Sequence, residues 1–194
     1  MSQMQLFAAE PLCLVDDAEG GVRYLPDFVP RTTAEDWFAD LRHEVAWRHE
    51  RRLMYERELD VPRLSATYGL GPERAMPAAL RDAARLVRHA LAIDFNSAGL
   101  NLYRNGRDSV APHNDRLQEL MPAMPIALLS LGATRRMTIR AKQAPRHAIH
   151  LDLEPASLLV MSHASQLHYV HGIAKTETPC GTRISIAFRV RPAD

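Results

Sequence analysis

The sequence predicts an α+β protein, mainly β, in which two helices precede an antiparallel barrel or jelly roll. Short β-branched or alternating segments, separated by turns, recur from residue 98 onward. Two windows in the first half carry apolar residues at helical spacing instead. The length of 194 residues suits one compact domain.

The first half begins with a predicted β-hairpin and a predicted helix. Residues 12–15 and 22–25 are short apolar runs on either side of the turn-forming stretch DDAEGG. Thr32 and Glu35 have the spacing of a capping box, which predicts a helix over residues 32–45.

A second helix and an unusual segment complete the first half. Pro77 has the position of a first-turn proline, and apolar residues follow it at helical spacing as far as about Ile93. Residues 47–68 are rich in Arg and Glu and have poor periodicity. This composition favours an exposed hairpin or lid over a core element.

The second half contains seven segments with the pattern of strands, which predicts seven or eight strands in all. They cover residues 99–106, 125–133, 135–141, 147–153, 157–162, 167–174 and 183–190.

The composition excludes several classes of protein. The 46% hydrophobic and 24% charged residues are ordinary for a globular chain and argue against disorder. No apolar run reaches the roughly 18 residues of a membrane helix, and the N-terminus lacks the pattern of a secretory signal. Cys13 and Cys180 form no CxxC pair, which excludes a disulfide framework or a Cys-ligated zinc site. We expect a cytoplasmic monomer that does not contact membranes.

Polar side chains recur two residues apart on the predicted strands, and such side chains point to the same face. The pairs and triplets are Asn101 and Tyr103, His113 and Asp115, and Arg183, Ser185 and Arg189. Each set therefore projects polar groups together from one β element.

His113 and Asp115 have the chemistry of two metal ligands. A second histidine from a distant strand would complete a 2-His-1-carboxylate face, the arrangement of non-haem Fe(II) oxygenases. The candidates for it are His147, His150, His163, His168 and His171, and the spacing does not choose among them. The alternative is a plain loop in which Asp115 acts as a cap.

Arg183 and Arg189 lie on one face of the last predicted strand, opposite a clean apolar face. If the polar face meets solvent, the two arginines are ordinary surface residues. If it lines the interior of a jelly roll, two buried guanidinium groups require anions, and a dicarboxylate would supply them.

Four motifs, in order and spacing, resemble the AlkB family of Fe(II)/2-oxoglutarate dioxygenases. They are NLYRNGRD…HND, PIALLSLG, HYVHGI and TRISIAFR, and the segment VPRLSATYG is similar to one in the double-strand DNA repair branch. The resemblance implies a double-stranded β-helix. It also implies oxidative demethylation of N-alkylated bases in DNA, and potentially in RNA, with Fe(II), 2-oxoglutarate and O2, releasing succinate, CO2 and formaldehyde.

The resemblance also implies residue roles. His113, Asp115 and His171 would bind iron. Arg183 would pair with the distal carboxylate of 2-oxoglutarate beside Tyr103, while Arg189 and Asn101 would hold the end that chelates iron. Ser185 stands where relatives often have Asn.

The same resemblance implies different roles for the two halves of the chain. Residues 1–97 would form an extension with the two helices and a nucleotide-recognition lid, and residues 98–194 the dioxygenase core, together one structural unit. The nucleic-acid contacts would come from Arg51, Arg52, Tyr55, Arg63 and Tyr68, with Met54 or Tyr55 filling the gap left by a flipped base. The alternative for Met54 and Tyr55 is a lid that covers the protein's own core.

Two departures from the family pattern leave other functions open. Leu117 and Gln118 occupy positions where base-repairing relatives carry acids, and Glu119 is the first acid after Asp115. An aromatic-rich loop is missing after Gly69. The rival functions are an oxygenase that acts on a protein or a small molecule, and a nucleic-acid-binding module without turnover.

Overall fold

The computed structural model describes residues 10–54 and 57–192, without the side chains of residues 50–60. Two antiparallel sheets form the body of the molecule, one of eight strands and one of four. A hydrophobic core lies between them, with Leu128 and Leu159 from the large sheet and Met137 and Leu151 from the small one. The predicted jelly roll is confirmed.

The helices are α1 (Arg31–Glu44), α2 (Ala78–Leu91) and α3 (Ser165–His168), with a 3-10 turn at Leu117–Glu119. The strands are β1 (Leu12–Val15), β2 (Val22–Leu25), β3 (Arg48–Met54), β4 (Arg57–Gly69), β5 (Ser97–Tyr103), β6 (Val110–His113), β7 (Ile126–Gly132), β8 (Arg135–Ala141), β9 (Ala148–Leu153), β10 (Leu158–Met161), β11 (Tyr169–Ile173) and β12 (Arg183–Arg189).

The strand order places the polar faces of β5 and β12 side by side. The large sheet runs β1-β2-β10-β7-β12-β5-β4-β3, and the small one β6-β11-β8-β9. In the antiparallel pairing of β12 with β5, Arg183 lies opposite Tyr103 and Ser185 opposite Asn101. Because directly opposed residues share a face, four predicted site residues meet on one side of the sheet.

The other side of the large sheet is covered by the two long helices. Leu41 of α1 and Leu80 and Val87 of α2 are fully buried in a second core, against Ile186 and Phe188 of β12. The apolar face predicted for the last strand is therefore a core face. Burial of such large apolar side chains contributes about 1.5–3 kcal/mol each.

The N-terminal half differs from the prediction in how α1 begins. The helix begins at Arg31 after Pro30, and no side chain caps it, so the predicted Thr32–Glu35 capping box is wrong. Because the helix begins one residue earlier, Thr32 lies inside the first turn, where its hydroxyl has no capping position.

Strands of the N-terminal half are integrated into the large sheet. The predicted hairpin is present as β1 and β2, which pair with each other and extend the sheet beside β10. The segment predicted to be an exposed hairpin or lid forms the β3–β4 hairpin, and β4 pairs with β5. Over the described ranges, none of the helices is both long and apolar enough to cross a membrane.

Candidate metal and co-substrate site

Three potential metal ligands converge between the two sheets. His113 ends β6 and lies opposite His171 of β11 in the antiparallel pairing, and their ring centroids are 4.6 Å apart. Asp115 follows in the turn after β6. One nitrogen from each imidazole and one Asp115 carboxylate oxygen all lie within 4.8 Å of one another. This is the donor set of a facial Fe(II) site.

The structure distinguishes among the five candidate histidines. His168 is the exposed last residue of α3, so the strand alternation does not extend to it. His147 and His150 are exposed, at and beside β9, and His163 is half-buried before α3. His171 is the member of the five that joins the other two ligands.

The protonation of the three groups suits a cation. Burial raises the pKa of Asp115, but the charge of Arg189 and its hydrogen bond to the carboxylate leave that pKa below its usual value. Burial, with the charge of His113, lowers the pKa of His171 to about 4, so its imidazole is neutral at neutral pH. The Nδ1–H of His113 donates to the carbonyl oxygen of Ala111 over 2.9 Å, which leaves Nε2 free to bind a metal.

Arg189 of β12 connects this metal end to the large sheet. Its Nε donates to Oδ2 of Asp115 over 2.7 Å. Both side chains are mostly buried, with 19% and 13% of the side-chain surface exposed. The two charges therefore neutralise each other in the absence of any ligand.

Arg183 lies at the other end of the same strand and is fully buried. Its Nη2 donates to Oγ of Ser130 over 3.0 Å, and the guanidinium carbon lies 5.3 Å from the ring centroid of Tyr103. Within the described part of the chain, its Nε and Nη1 are buried without a hydrogen-bond partner. Burial lowers the pKa of Arg183 to about 10, so the group remains a cation at neutral pH. A buried cation with two unused donors requires an anion.

One cavity joins the two ends. Asn101, Ser185, Arg183 and Arg189 line it together with the three potential metal ligands. The apolar part of its wall is formed by Val110, Ile126, Leu128, Met137, Met161, Ile173 and Ala187. The chemistry of these residues suits a small dicarboxylate, because the buried guanidinium of Arg183 can pair with one carboxylate and the three metal-ligating residues line the same cavity.

The residues predicted to contact nucleic acid are dispersed. Arg63 lines the cavity, where its Nε donates to Oδ1 of Asn101 over 2.8 Å, so its side chain is turned inward. Tyr68 is half-buried on the opposite side of the sheet, against the helix core. Arg51 and Arg52 lie in β3, with their side chains outside the description. Tyr55 lies outside the described residues.

Two further residues at the site were not predicted from the sequence. Ser130 is a lone polar residue in the apolar strand β7, and that interruption was the available signal. Gln166 accepts a hydrogen bond from the backbone N–H of Asp115, and no local sequence pattern predicts this contact. Glu119, the first acid after Asp115, is bound by Arg116 and Arg191.

Comparison with known proteins gives concordant matches. The family model for the 2OG-Fe(II) oxygenase superfamily matches residues 21–189. The chain is 30% identical over 183 residues to alpha-ketoglutarate-dependent dioxygenase alkB homolog 3 of Homo sapiens, covering 84% of this chain and 64% of that protein. It is 27% identical over 184 residues to DNA oxidative demethylase ALKBH2 of Homo sapiens, covering 82% and 69%.

A solved structure supports the fold independently. The structure of OsALKBH1 has a TM-score of 0.63 at 14% identity and covers 87% of this chain and 97% of its own. The chain spans about 64% of the length of the alkB homolog 3 relatives it matches. The family and the cofactor set inferred from the sequence motifs are confirmed: the chain belongs to the 2OG-Fe(II) oxygenase superfamily, whose cofactors are Fe(II), 2-oxoglutarate and O2, and it is similar to AlkB homologues.

Proposed function

We propose that the protein oxidatively demethylates N-alkylated bases of nucleic acid. In this proposal His113, Asp115 and His171 hold Fe(II), and the distal carboxylate of 2-oxoglutarate binds Arg183. Bound Fe(II) and 2-oxoglutarate supply the oxidising chemistry through O2, and an N-methyl carbon is hydroxylated and lost as formaldehyde. The observation that carries the oxygenase part is a cavity with three metal-ligating atoms at one end and the buried guanidinium of Arg183 at the other, where Nε and Nη1 have no hydrogen-bond partner among the described residues.

The remaining cavity residues hold the co-substrate in place in this account. Tyr103 and Ser130 flank the guanidinium of Arg183 and fix its position. Asn101 uses its Oδ1 to accept from Arg63, and its Nδ2, which bonds to no described residue, can donate to a carboxylate. Ser185 lies beside Asn101 on the paired strand and offers a hydroxyl to the same wall.

The nucleic-acid part of the proposal depends on the relatives and on the hairpin. ALKBH2 is named a DNA oxidative demethylase. In this chain the β3–β4 hairpin lies at the edge of the large sheet, and Arg63 of β4 reaches the cavity. We assign residues 1–97 as the extension that supplies this hairpin as a lid, and residues 98–194 as the oxygenase core. Arg51, Arg52 and Tyr68 stay assigned to the nucleic-acid contacts, as does Tyr55.

A second candidate is an oxygenase that acts on a protein or a small molecule. Leu117 cannot accept a hydrogen bond from a base, and Glu119 is bound by Arg116 and Arg191 rather than directed to a substrate. The loop after Asp115 therefore lacks a free carboxylate at its first three positions and at Glu119. This observation favours a substrate other than the cationic bases that a carboxylate would recognise.

Succinate release separates the two candidates. The protein is incubated with Fe(II), 2-oxoglutarate and O2, together with a methylated oligonucleotide, the same oligonucleotide unmethylated, or a methylated peptide. The proposal predicts that only the methylated oligonucleotide stimulates succinate release and that formaldehyde forms with it. Stimulation by the peptide alone would support the second candidate and contradict the first.

A further inference from the structure

Gln166 connects the two segments that supply the metal ligands. It lies in α3, five residues before His171. Its side chain is buried, with 2% of the residue exposed, and its Oε1 accepts a hydrogen bond from the backbone N–H of Asp115 over 3.0 Å. The turn that carries Asp115 is thereby attached to the segment that leads into β11.

The hydrogen bonds around Gln166 fix the orientation of its amide. The hydroxyl of Ser165 donates to the carbonyl oxygen of Ser162 over 2.7 Å, so its hydrogen is already used. The Oγ of Ser165 is therefore an acceptor for Nε2 of Gln166, which lies 3.2 Å away. With Nε2 occupied there, Oε1 faces Asp115, whose backbone N–H can only donate. Both ends of the amide are matched in one orientation.

Two remote elements hold α3 in position. Nζ of Lys142 donates to the carbonyl oxygen of Gln166 over 2.7 Å. Oγ of Ser162 accepts from the N–H of Ser165 over 2.9 Å and donates to Oδ2 of Asp17 over 2.6 Å. Asp17 belongs to the turn between β1 and β2. The network that ends at Asp115 is thus anchored from the residue that follows β8 and from the N-terminal hairpin.

We propose that Gln166 is a positioning residue that fixes Asp115 for metal binding. Two elements outside its own loop then hold Asp115, because Arg189 binds its carboxylate and Gln166 binds its N–H, in addition to the bond from Asn114 Nδ2 to its carbonyl oxygen. Without Gln166, the turn after β6 gains freedom that metal binding must remove. Outer partners of metal ligands commonly contribute 10–100-fold to metal affinity. The inference depends on the proposed metal role of Asp115.

Metal titration tests the proposal without turnover. Co(II) is titrated into the apo protein and followed by its visible absorption, which also reports the ligand geometry. Gln166→Met keeps the volume and removes both hydrogen bonds, and we expect its Co(II) dissociation constant to rise about 10-fold or more with an altered spectrum. Gln118→Met, the same change at an exposed position in the same loop, should bind Co(II) like the wild type.

A second variant covers the case in which Gln166→Met fails to fold. Ser165→Ala removes the acceptor that orients the amide and leaves Gln166 in place, so we expect a smaller rise in the dissociation constant. An unchanged dissociation constant and spectrum in a folded Gln166→Met would overturn the positioning role. If Gln166→Met does not fold, the same result in Ser165→Ala would overturn it. Failure of the wild type to bind Co(II) would overturn the proposed metal site as well. This result is distinct from a failure of the Gln166 role alone, in which the wild type and the variants bind Co(II) equally.

Discussion

The two ends of β12 carry the same side chain in opposite electrostatic situations. Arg189 is paired with Asp115 over 2.7 Å, whereas Arg183 is fully buried with two donor nitrogens unpaired within the described part of the chain. The metal end is thus neutralised by the protein's own residues. The other end offers two buried donor nitrogens, in line with the proposed binding of 2-oxoglutarate there, so the comparison sets a neutralised ion pair against a proposed anion site.

The largest expected effect is at the metal end. Asp115→Ala or His171→Ala removes one of three protein ligands, and we expect both to abolish turnover and to weaken metal binding sharply while the fold persists. Turnover is measured as succinate release at limiting Fe(II). His168→Ala is the matched control, since His168 is exposed at the end of α3, and its turnover should equal that of the wild type. Full activity of either ligand variant would contradict the proposed metal site.

The next effect tests the unpaired end. Arg183→Met keeps much of the buried volume but leaves the distal carboxylate of 2-oxoglutarate unpaired, at a cost of about 3–5 kcal/mol. Its affinity for 2-oxoglutarate, measured by calorimetry on the metal-loaded protein, should fall by at least two orders of magnitude. Metal affinity should change little, because Arg183 does not contact the metal ligands. Unchanged 2-oxoglutarate binding would contradict the comparison of the two arginines.

The pH dependence of stability follows from His171. The folded protein holds its pKa at about 4, below the ordinary 6.5, because of burial and the charge of His113. The unfolded chain therefore binds more protons between these values, and stability of up to about 3 kcal/mol is lost as the pH falls through this window. Urea unfolding of the apo protein at several pH values measures the loss. In His171→Gln most of this pH dependence should disappear, and its persistence would assign the effect to another group.

The sequence predicted the parts of the site that depend on local periodicity. The period of two places Asn101 with Tyr103 on one face of β5, and Arg183 with Ser185 on one face of β12. Only the pairing of β5 with β12 was then needed to bring the two sets together. The strand that carries His113 is not among the seven predicted segments, since β6 is four residues long, largely exposed and contains Pro112. Asp115, predicted on the same β element as His113, lies two residues beyond the end of that strand. Gln166 was missed because its contact with Asp115 spans 51 residues and follows from tertiary packing.

Arg63 shows the limit of interpretation by composition. The resemblance assigns it to nucleic acid as part of the arginine-rich segment 48–63. The structure instead places its side chain on Asn101 and on the carbonyl oxygen of Ser109, in the cavity wall. A hairpin that reaches from the sheet edge toward the core can carry arginines that line the cavity as well as arginines that contact nucleic acid. The two cannot be told apart until the pairing of β4 with β5 is known.

The smallest effect concerns the β3–β4 hairpin. We expect the double change Arg51→Gln and Arg52→Gln to weaken binding to all oligonucleotide sequences alike, with the slope of log K against log salt reduced by about 1 to 2. Fluorescence anisotropy over a range of salt concentrations measures this slope. The double variant should bind 2-oxoglutarate like the wild type. An unchanged slope would indicate that Arg51 and Arg52 do not contact phosphates and that the hairpin only covers the protein's own core.

A single-turnover reaction tests the central claim most directly. The protein is loaded anaerobically with Fe(II), 2-oxoglutarate and a methylated oligonucleotide, O2 is then added, and the products are measured by mass. We predict succinate, formaldehyde and demethylated oligonucleotide in equal amounts, and none of the three with Asp115→Ala. Succinate formed in full while the oligonucleotide keeps its methyl group would show an oxygenase whose substrate is not a nucleic-acid base.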